Sequence, residues 1–556
     1  MVWDEEKVAF PILTENYSKW LKVQKVKFLQ KTELRDLRDI NEGRGIIAQE
    51  EINTGDVIFE IPRSIIFDLE SATLLVDRPE LRDELVHLNQ WEVLIILLLY
   101  EFQVKDGASK WRDYFKVLPI FDKDNYIFNQ LMFWSDDELK ELEPSLIVHR
   151  VGKELANGMY KKLFPKIVVE DMKIVELKDV TLQQYHEVAS LIMSYSFDIE
   201  KLNSRGFVDG EEDDEEQEEE NDAEEEEEEE EEEQEEEEQH KENGQNGHSN
   251  GNGHSNGNGK EISSPTSDEE YPDSIEKDSF LKAMIPLADT LNADTNLHNA
   301  SLEYLGDKLV IRAIKPIKKG DQIYNTYSDH PNSEILRRYG YVEMFGSKHD
   351  FGEIPLSTIK AYFAKDLGED FFDEIVQTFK EVIELEEEDD IVDFVLDSYD
   401  CFVNGDVIIE LIIFLQCLTI LTSINSISSM KPLSRSSKFQ LVRRIYRKCI
   451  QLIESQKLTS KTKENFNFII KSRMDQYPNF ASDDFTKDFK YNRKSMAKIV
   501  LQSEFKSLQS CYNNDNAFKF HNTVCSFIDD EKLVRNIIKR KFDLPIIDDR
   551  TKRPKK

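Results

Sequence analysis

From about Ser204 to about Ile275 the chain loses any alternation of apolar and polar residues. Residues 211–240 hold 24 acidic side chains and no Lys or Arg, and NGQNGHSNGNGHSNGNG follows, with NGHSNG repeated. A tract with so little apolar surface has nothing to offset the entropy lost on ordering. It reads as a disordered insertion over 205–275, so the segments on either side must meet in space. The architecture therefore needs a domain assembled from two halves that are distant in sequence.

The chain of 556 residues is too long for one core. Its formal charge is −40, and subtracting the 24 acidic groups of the tract leaves −16 for the rest. Such a surface disfavours nucleic acid and favours basic partners. Cysteines 401, 417, 449, 511 and 525 form no CxxC pair. Neither a disulfide framework nor a zinc site is expected, no metal is called for, and a reducing intracellular setting follows. MVWDEEKVAF lacks the basic flank and apolar core of a secretory signal. VLIILLLY (Val93–Tyr100) and VIIELIIFLQCLTILTS (Val407–Ser423) fall short of about 20 apolar residues and read as core helices.

Texture divides the remainder. Before Tyr341, strand-like runs such as GIIAQEEINTGDVIFEIP alternate with a few helices; beyond it, KFQLVRRIYRKCIQLIES and similar segments carry apolar residues at three- and four-residue spacing. The expected organisation is an N-terminal helical segment (1–24), a split α+β domain (25–204 and 276–345) around the insertion, a helical domain (346–545) and a basic tail (546–556). Within the split domain, Ala48, Ile52, Gly55, Asp56 and Ile58 recur at the same offsets as Ala313, Ile317, Gly320, Asp321 and Ile323. Each copy reads as strand, Gly-Asp turn, strand; two ordinary hairpins would show the same echo.

Three stretches concentrate chemistry. NEGRGIIA places Gly43 and Gly45 where backbone can approach a ligand. PLADTLNADTNLHNASLEY (286–304) packs amides and carboxylates before a strand pattern, and YNTYSDHPNSEILRRYGYVE crowds Tyr324, Tyr327, Tyr339 and Tyr341 together. Each alone is a weak signal. In this order, EGRG, PLADTLNAD, GDQIYNTY and RYGY resemble the SET-domain protein lysine methyltransferases. Within them the chain is similar to the Rubisco large-subunit methyltransferase-like branch, and there to the fungal ribosomal-protein lysine methyltransferases.

The resemblance implies an α+β SET domain with small β-sheets, a pseudoknot-like crossing and a helical insertion, followed by an all-α substrate-binding domain. It implies S-adenosyl-L-methionine as cofactor and a basic protein substrate, a 60S ribosomal protein, with no direct nucleic-acid or membrane partner and a monomeric enzyme. Tyr327 matches the catalytic tyrosine. Glu42, Gly43, Arg44, Trp111, Asn292, Ala293, Tyr327 and Tyr339 fall on cofactor positions; Tyr195, Ser196 and Asp289 fall on the substrate side. Two departures stand out: Ala293 replaces the second residue of a frequent Asn-His pair, and Tyr195 replaces a cofactor-binding arginine. Asp294, Asn296, His298 and Asn299 read as a turn network. A catalytically inactive scaffold that binds basic proteins is the alternative. The tail residues Lys552, Arg553, Lys555 and Lys556 suit nuclear import, with the cytoplasm as the other setting.

Overall fold

The structure, a computed structural model, describes residues 10–121, 126–201, 280–385, 393–480 and 491–538. The acidic and Asn/Gly-rich insertion and the basic tail lie outside the described residues. The flanks of the insertion do meet. Strand Ser196–Glu200 pairs antiparallel with strand Phe280–Met284, Ser196 opposite Met284 and Glu200 opposite Phe280. Phe67 bridges to Met284, which ties this pair to the N-terminal half.

The largest sheet has four strands in the spatial order Lys27–Phe28, Val57–Pro62, Lys308–Ala313, Ala300–Leu305. Its two central strands come from opposite sides of the insertion and pair antiparallel. Most of their side chains are buried, which is why VIFEIP and KLVIRA read as nearly continuous apolar runs. A core of β-branched and aromatic residues, including Ile58, Phe59, Ile311 and Ile317, extends from this sheet to the helix Gln90–Tyr100, which is buried from Glu92 onward. An Asn89/Glu92 capping box starts that helix.

The internal echo has a structural meaning that differs from a pair of hairpins. The Ala48 N–H donates to the Asp321 carbonyl and the Ala313 N–H to the Asp56 carbonyl; Gly320 donates to Ala48 and Gly55 to Ala313; Ile52 and Ile317 exchange both bonds. Exchanging the copies maps each bond onto another, so a local pseudo-twofold axis runs between Ile52 and Ile317. Neither copy folds back on itself. Strand Arg44–Ala48 is already paired with Thr32–Asp36, and Val57–Pro62 with Lys308–Ala313, so each turn segment finds its partner in the other copy. Gly55 (φ +85) and Gly320 (φ +92) make the equivalent left-handed turns.

Residues 322–325 then run between two segments. On one side the Ile323 N–H donates to the Ile46 carbonyl; on the other Asn325 donates to Asn292, Asp294 donates to Asn325, and Asn299 and Ala300 both donate to Tyr324. This crossing brings the glycine turn, the Asn-rich loop and the tyrosine segment together.

The C-terminal region is built on helices Leu356–Leu367, Glu369–Glu384, Ile409–Ile427, Arg435–Glu454, Ser460–Met474 and Arg493–Cys511, with short strand pairs at its edges. Ile409–Ile427 is long and apolar enough to cross a membrane, but 78% of its most apolar window is buried in the second core. All five cysteines are buried and unbridged. A third core joins the regions: Leu131, Trp134, Leu142 and Ile147 pack with Leu336 and Val342 and with Met496, Ala497, Ile499 and Val500. At the same seam the Arg473 guanidinium donates to the Glu353 and Pro144 carbonyls, both at 2.8 Å, and buried Glu504 accepts from Ser145 (2.5 Å) and Tyr477 (2.8 Å).

Candidate active site

A cavity of about 350 Å³ opens where the crossing meets the helix Asn332–Tyr339; its walls include Ser194, Ser196, Asp289, His298, Tyr327 and Tyr339. Tyr327 lies two residues beyond the crossing segment, and its hydroxyl donates to the Leu291 carbonyl at 3.0 Å. The Tyr339 ring lies 4.9 Å from the Tyr327 ring and Tyr341 stands edge-on at 6.4 Å, its hydroxyl donating to the Ala293 carbonyl at 3.3 Å. Burial holds Tyr327 and Tyr341 well above the ordinary phenol range and pushes Tyr339 up to about 12. All three stay protonated at neutral pH. Asp289 is buried, accepts the Tyr114 hydroxyl at 2.5 Å, and is pushed by that burial up to about 7. It titrates at neutral pH and is the one carboxyl among the described residues that line the cavity.

Beside the aromatic group lies a polar edge. Gly43 takes φ +61, where a larger residue is strained. A Cβ on Gly45 would sit 2.4 Å from Gln322 Oε1, 2.5 Å from Leu37 Cδ1 and 3.0 Å from Asn292 Nδ2, so a larger residue would have to push these side chains out of place. The Asn292 amide donates to Gln322 Oε1 at 2.8 Å and to the Arg44 carbonyl at 3.4 Å. The Gln322 amide and the Tyr324 hydroxyl both donate to the Glu42 carboxylate. Arg44 donates to Thr14 Oγ1 (3.0 Å) and the Val117 carbonyl (3.1 Å), and stacks on Phe10. The left-handed Gly43 turn and the half-exposed Asn292, whose Oδ1 accepts no hydrogen bond among the described residues, leave polar groups at this edge that suit a polar cofactor.

The structure thus groups Glu42, Gly43, Arg44 and Asn292 at one edge and gathers Ser196, Asp289, Tyr327 and Tyr339 around the cavity, with Ala293 joined to the tyrosine group through Tyr341. Tyr195 ends the helix Leu182–Tyr195; it is half-buried, and Tyr126, Tyr327, Asp289 and Arg44 are its electrostatic neighbours. Trp111 lies elsewhere. It is 1% exposed in the first core, its indole N–H donates to the Ile65 carbonyl at 2.9 Å, and its ring meets Phe67 edge-on at 4.9 Å. From the same SKWRDYF stretch it is Tyr114 that reaches the site, through Asp289. Within the turn network, Asp294 Oδ1 accepts from the Asn296 and Leu297 N–H groups, and the Asn299 side chain binds the Gln322 and Tyr324 backbones. His298 belongs to the same network through its N–H, which donates to the Asp294 carbonyl at 2.9 Å, and it also lines the cavity. Gln322 and Tyr114 were missed because each reaches the site through a partner on a distant segment, Asn292 and Asp289, and Ser194, beside Tyr195 and Ser196, carries no pattern of its own.

Residues 43–328 match the family model for the SET domain. The chain belongs to the SET-domain family and, within it, to the protein lysine methyltransferases, whose cofactor is S-adenosylmethionine. Among its relatives, ribosomal lysine N-methyltransferase 4 of Saccharomyces cerevisiae is 34% identical over 544 residues, spanning 95% of this chain and 96% of that protein. The N-lysine methyltransferase SETD6 of Homo sapiens is 26% identical over 324 residues, 57% of this chain and 52% of that protein. Among solved structures, Rubisco LSMT bound to AdoMet aligns with a TM-score of 0.55 at 15% identity, covering 96% of this chain and 97% of that one. The SET domain of LSMT bound to lysine and AdoHcy aligns with a TM-score of 0.53 at 16% identity, covering 91% of each chain. At these identities the two structures speak for the fold.

Proposed function

We propose that the chain methylates a lysine of a large-subunit ribosomal protein, with Tyr327 as the catalytic tyrosine, and that it works in the nucleus. The observation that carries the chemistry is the cavity in which Tyr327, Tyr339 and Asp289 converge beside the Asn292–Glu42 edge. The choice of substrate rests on the near full-length similarity to a relative named as a ribosomal lysine methyltransferase. The nuclear setting rests on the basic tail.

The gly-turn backbone of Glu42, Gly43 and Arg44, the Asn292 Oδ1, which accepts no hydrogen bond among the described residues, and the backbone at Ala293 would hold S-adenosylmethionine. Bound there, it supplies an electrophilic methyl group on a positive sulfur. The rest falls to the chain. A free lysine amine has a pKa near 10.4 and cannot attack while protonated. Asp289, ionised above about pH 7, attracts the arriving ammonium. The aromatic walls of Tyr327 and Tyr339 disfavour the charged form, so the ammonium releases its proton to solvent before the methyl group is transferred. With its proton directed to the Leu291 carbonyl, the Tyr327 hydroxyl turns its lone pairs away from that bond and toward the amine, which sets the amine's direction. Orientation of this kind supplies up to about 7–11 kcal/mol. Tyr195 and Ser196 border the substrate side.

Incubation with labelled S-adenosylmethionine and a total protein extract, followed by mapping of the labelled peptide, tests this reading. Label on a lysine of a large-subunit ribosomal protein is expected. Label confined to non-ribosomal proteins would reject the substrate while keeping the reaction.

A further inference from the structure

Two residues past Tyr341, Glu343 is buried at 6% exposure although none of the steps above uses it. Its carboxylate accepts the Thr295 N–H and the Thr295 hydroxyl, each at 2.6 Å, and the Asn296 amide at 3.1 Å. Those donors belong to the loop that starts at Asn292. A buried carboxylate is costly unless hydrogen-bonded, and here three donors from one loop satisfy it.

The backbone of Glu343 is held as firmly as its side chain. Asn332 is fully buried; its amide donates to the Glu343 carbonyl at 2.9 Å and its Oδ1 accepts the Glu343 N–H at 2.7 Å. The same amide reaches Ser503 Oγ, on helix Arg493–Cys511, at 3.1 Å. Buried hydrogen bonds thus run without a break from Ser503 through Asn332 and Glu343 to Thr295. They begin in the helical region and end three residues from Asn292.

We propose that Glu343 is a positioning residue for the cofactor edge: through Thr295 and Asn296 it sets where Asn292 and Ala293 are presented, and through Asn332 and Ser503 it ties that setting to the helical region. This rests on the assignment of Asn292 to the cofactor. Glu343 is not among the residues that line the cavity, so it would act only through this loop. Removing its acceptor oxygens should therefore move cofactor affinity and leave recognition of the protein substrate alone.

The test compares Glu343→Gln, Thr295→Val and Asn292→Ala by calorimetric titration with S-adenosylhomocysteine, alongside melting temperature and KM for the protein substrate. Glu343→Gln keeps one acceptor oxygen and puts an amide donor where the other stood, opposing either the Thr295 N–H or the Asn296 amide, and about a tenfold loss of affinity is expected. Thr295→Val removes the hydroxyl bond alone, and about a threefold loss is expected. In both, KM for the protein substrate stays within about twofold of wild type. Thr295→Val keeps its N–H bond and carries the test if Glu343→Gln does not fold. A lower melting temperature with unchanged affinity in both variants would make Glu343 a scaffold residue and overturn the proposal. If Asn292→Ala leaves affinity unchanged, the assignment of Asn292 falls and the proposal with it. If Asn292→Ala weakens binding and the other two do not, the positioning proposal alone falls.

Discussion

The split SET region and the helical region are held together by different kinds of interaction. Around the cavity, side-chain amides, hydroxyls and carboxylates from distant segments meet at fixed hydrogen-bond distances: Asn292 on Gln322, Asn299 on Tyr324, Glu343 on Thr295. In the helical region, long helices such as Ile409–Ile427 bury mainly apolar faces, with Gln416 and Thr419 as buried polar residues bonded to Thr459, Thr462 and Asn465. Directional bonds place atoms to within tenths of an ångström, whereas apolar packing fixes volume and tolerates substitution of similar size. Chemistry belongs where position is directional. The helical region carries none of the glycine, asparagine and tyrosine signals, which suits a part that selects the substrate.

The third core sits between the two regimes, and breaking it should have the largest effect. Leu336→Ala is expected to lower stability by about 3 kcal/mol, with both regions unfolding in one transition. Two separated calorimetric transitions in the wild type would show that the regions are independent. On the directional side, Asn292→Ala should weaken S-adenosylhomocysteine binding about tenfold while the melting temperature barely changes. On the apolar side, Ile420→Val, at a fully buried position of Ile409–Ile427, should cost about 1 kcal/mol and leave kcat unchanged. A kcat loss there would blur the division between the regions.

A smaller effect concerns pH. Folding raises the Asp289 pKa to about 7 through burial, above its usual unfolded value near 3.9. The folded state therefore holds this proton more tightly, and the contribution of Asp289 to stability falls as pH rises from about 4 to about 7. Catalysis runs the other way, because the ionised carboxylate attracts the lysine ammonium. KM for the protein substrate should fall as pH rises through about 7, and Asp289→Asn should remove both dependences. Persistence of the KM limb in that variant would assign it to another group.

Local chemistry made part of the site legible in the sequence. Gly43 and Gly45, the amides around Asn292 and the clustered tyrosines announce turns and buried hydroxyls through residue types that the backbone itself demands. Order along the chain supplied the rest of that reading. Pairing between distant segments was not legible. A Gly-Asp turn shows that the chain reverses but not which strand it meets, so the two copies looked like hairpins although they clasp each other. Likewise an aromatic in SKWRDYF announces burial without saying which ring faces the site: Trp111 went to the core and Tyr114 to Asp289. Ser194, Gln322 and Glu343 carry no local signal, because their partners lie across the crossing or the seam.

The central claim is that the Tyr327 cavity performs methyl transfer to lysine. Wild type and Tyr327→Phe, each with its S-adenosylhomocysteine affinity measured, should be supplied with labelled S-adenosylmethionine and purified large-subunit ribosomal proteins. The account predicts lysine labelling by the wild type, and for the variant near-equal affinity with turnover lower by about 10² or more. Equal turnover in the two proteins would contradict it.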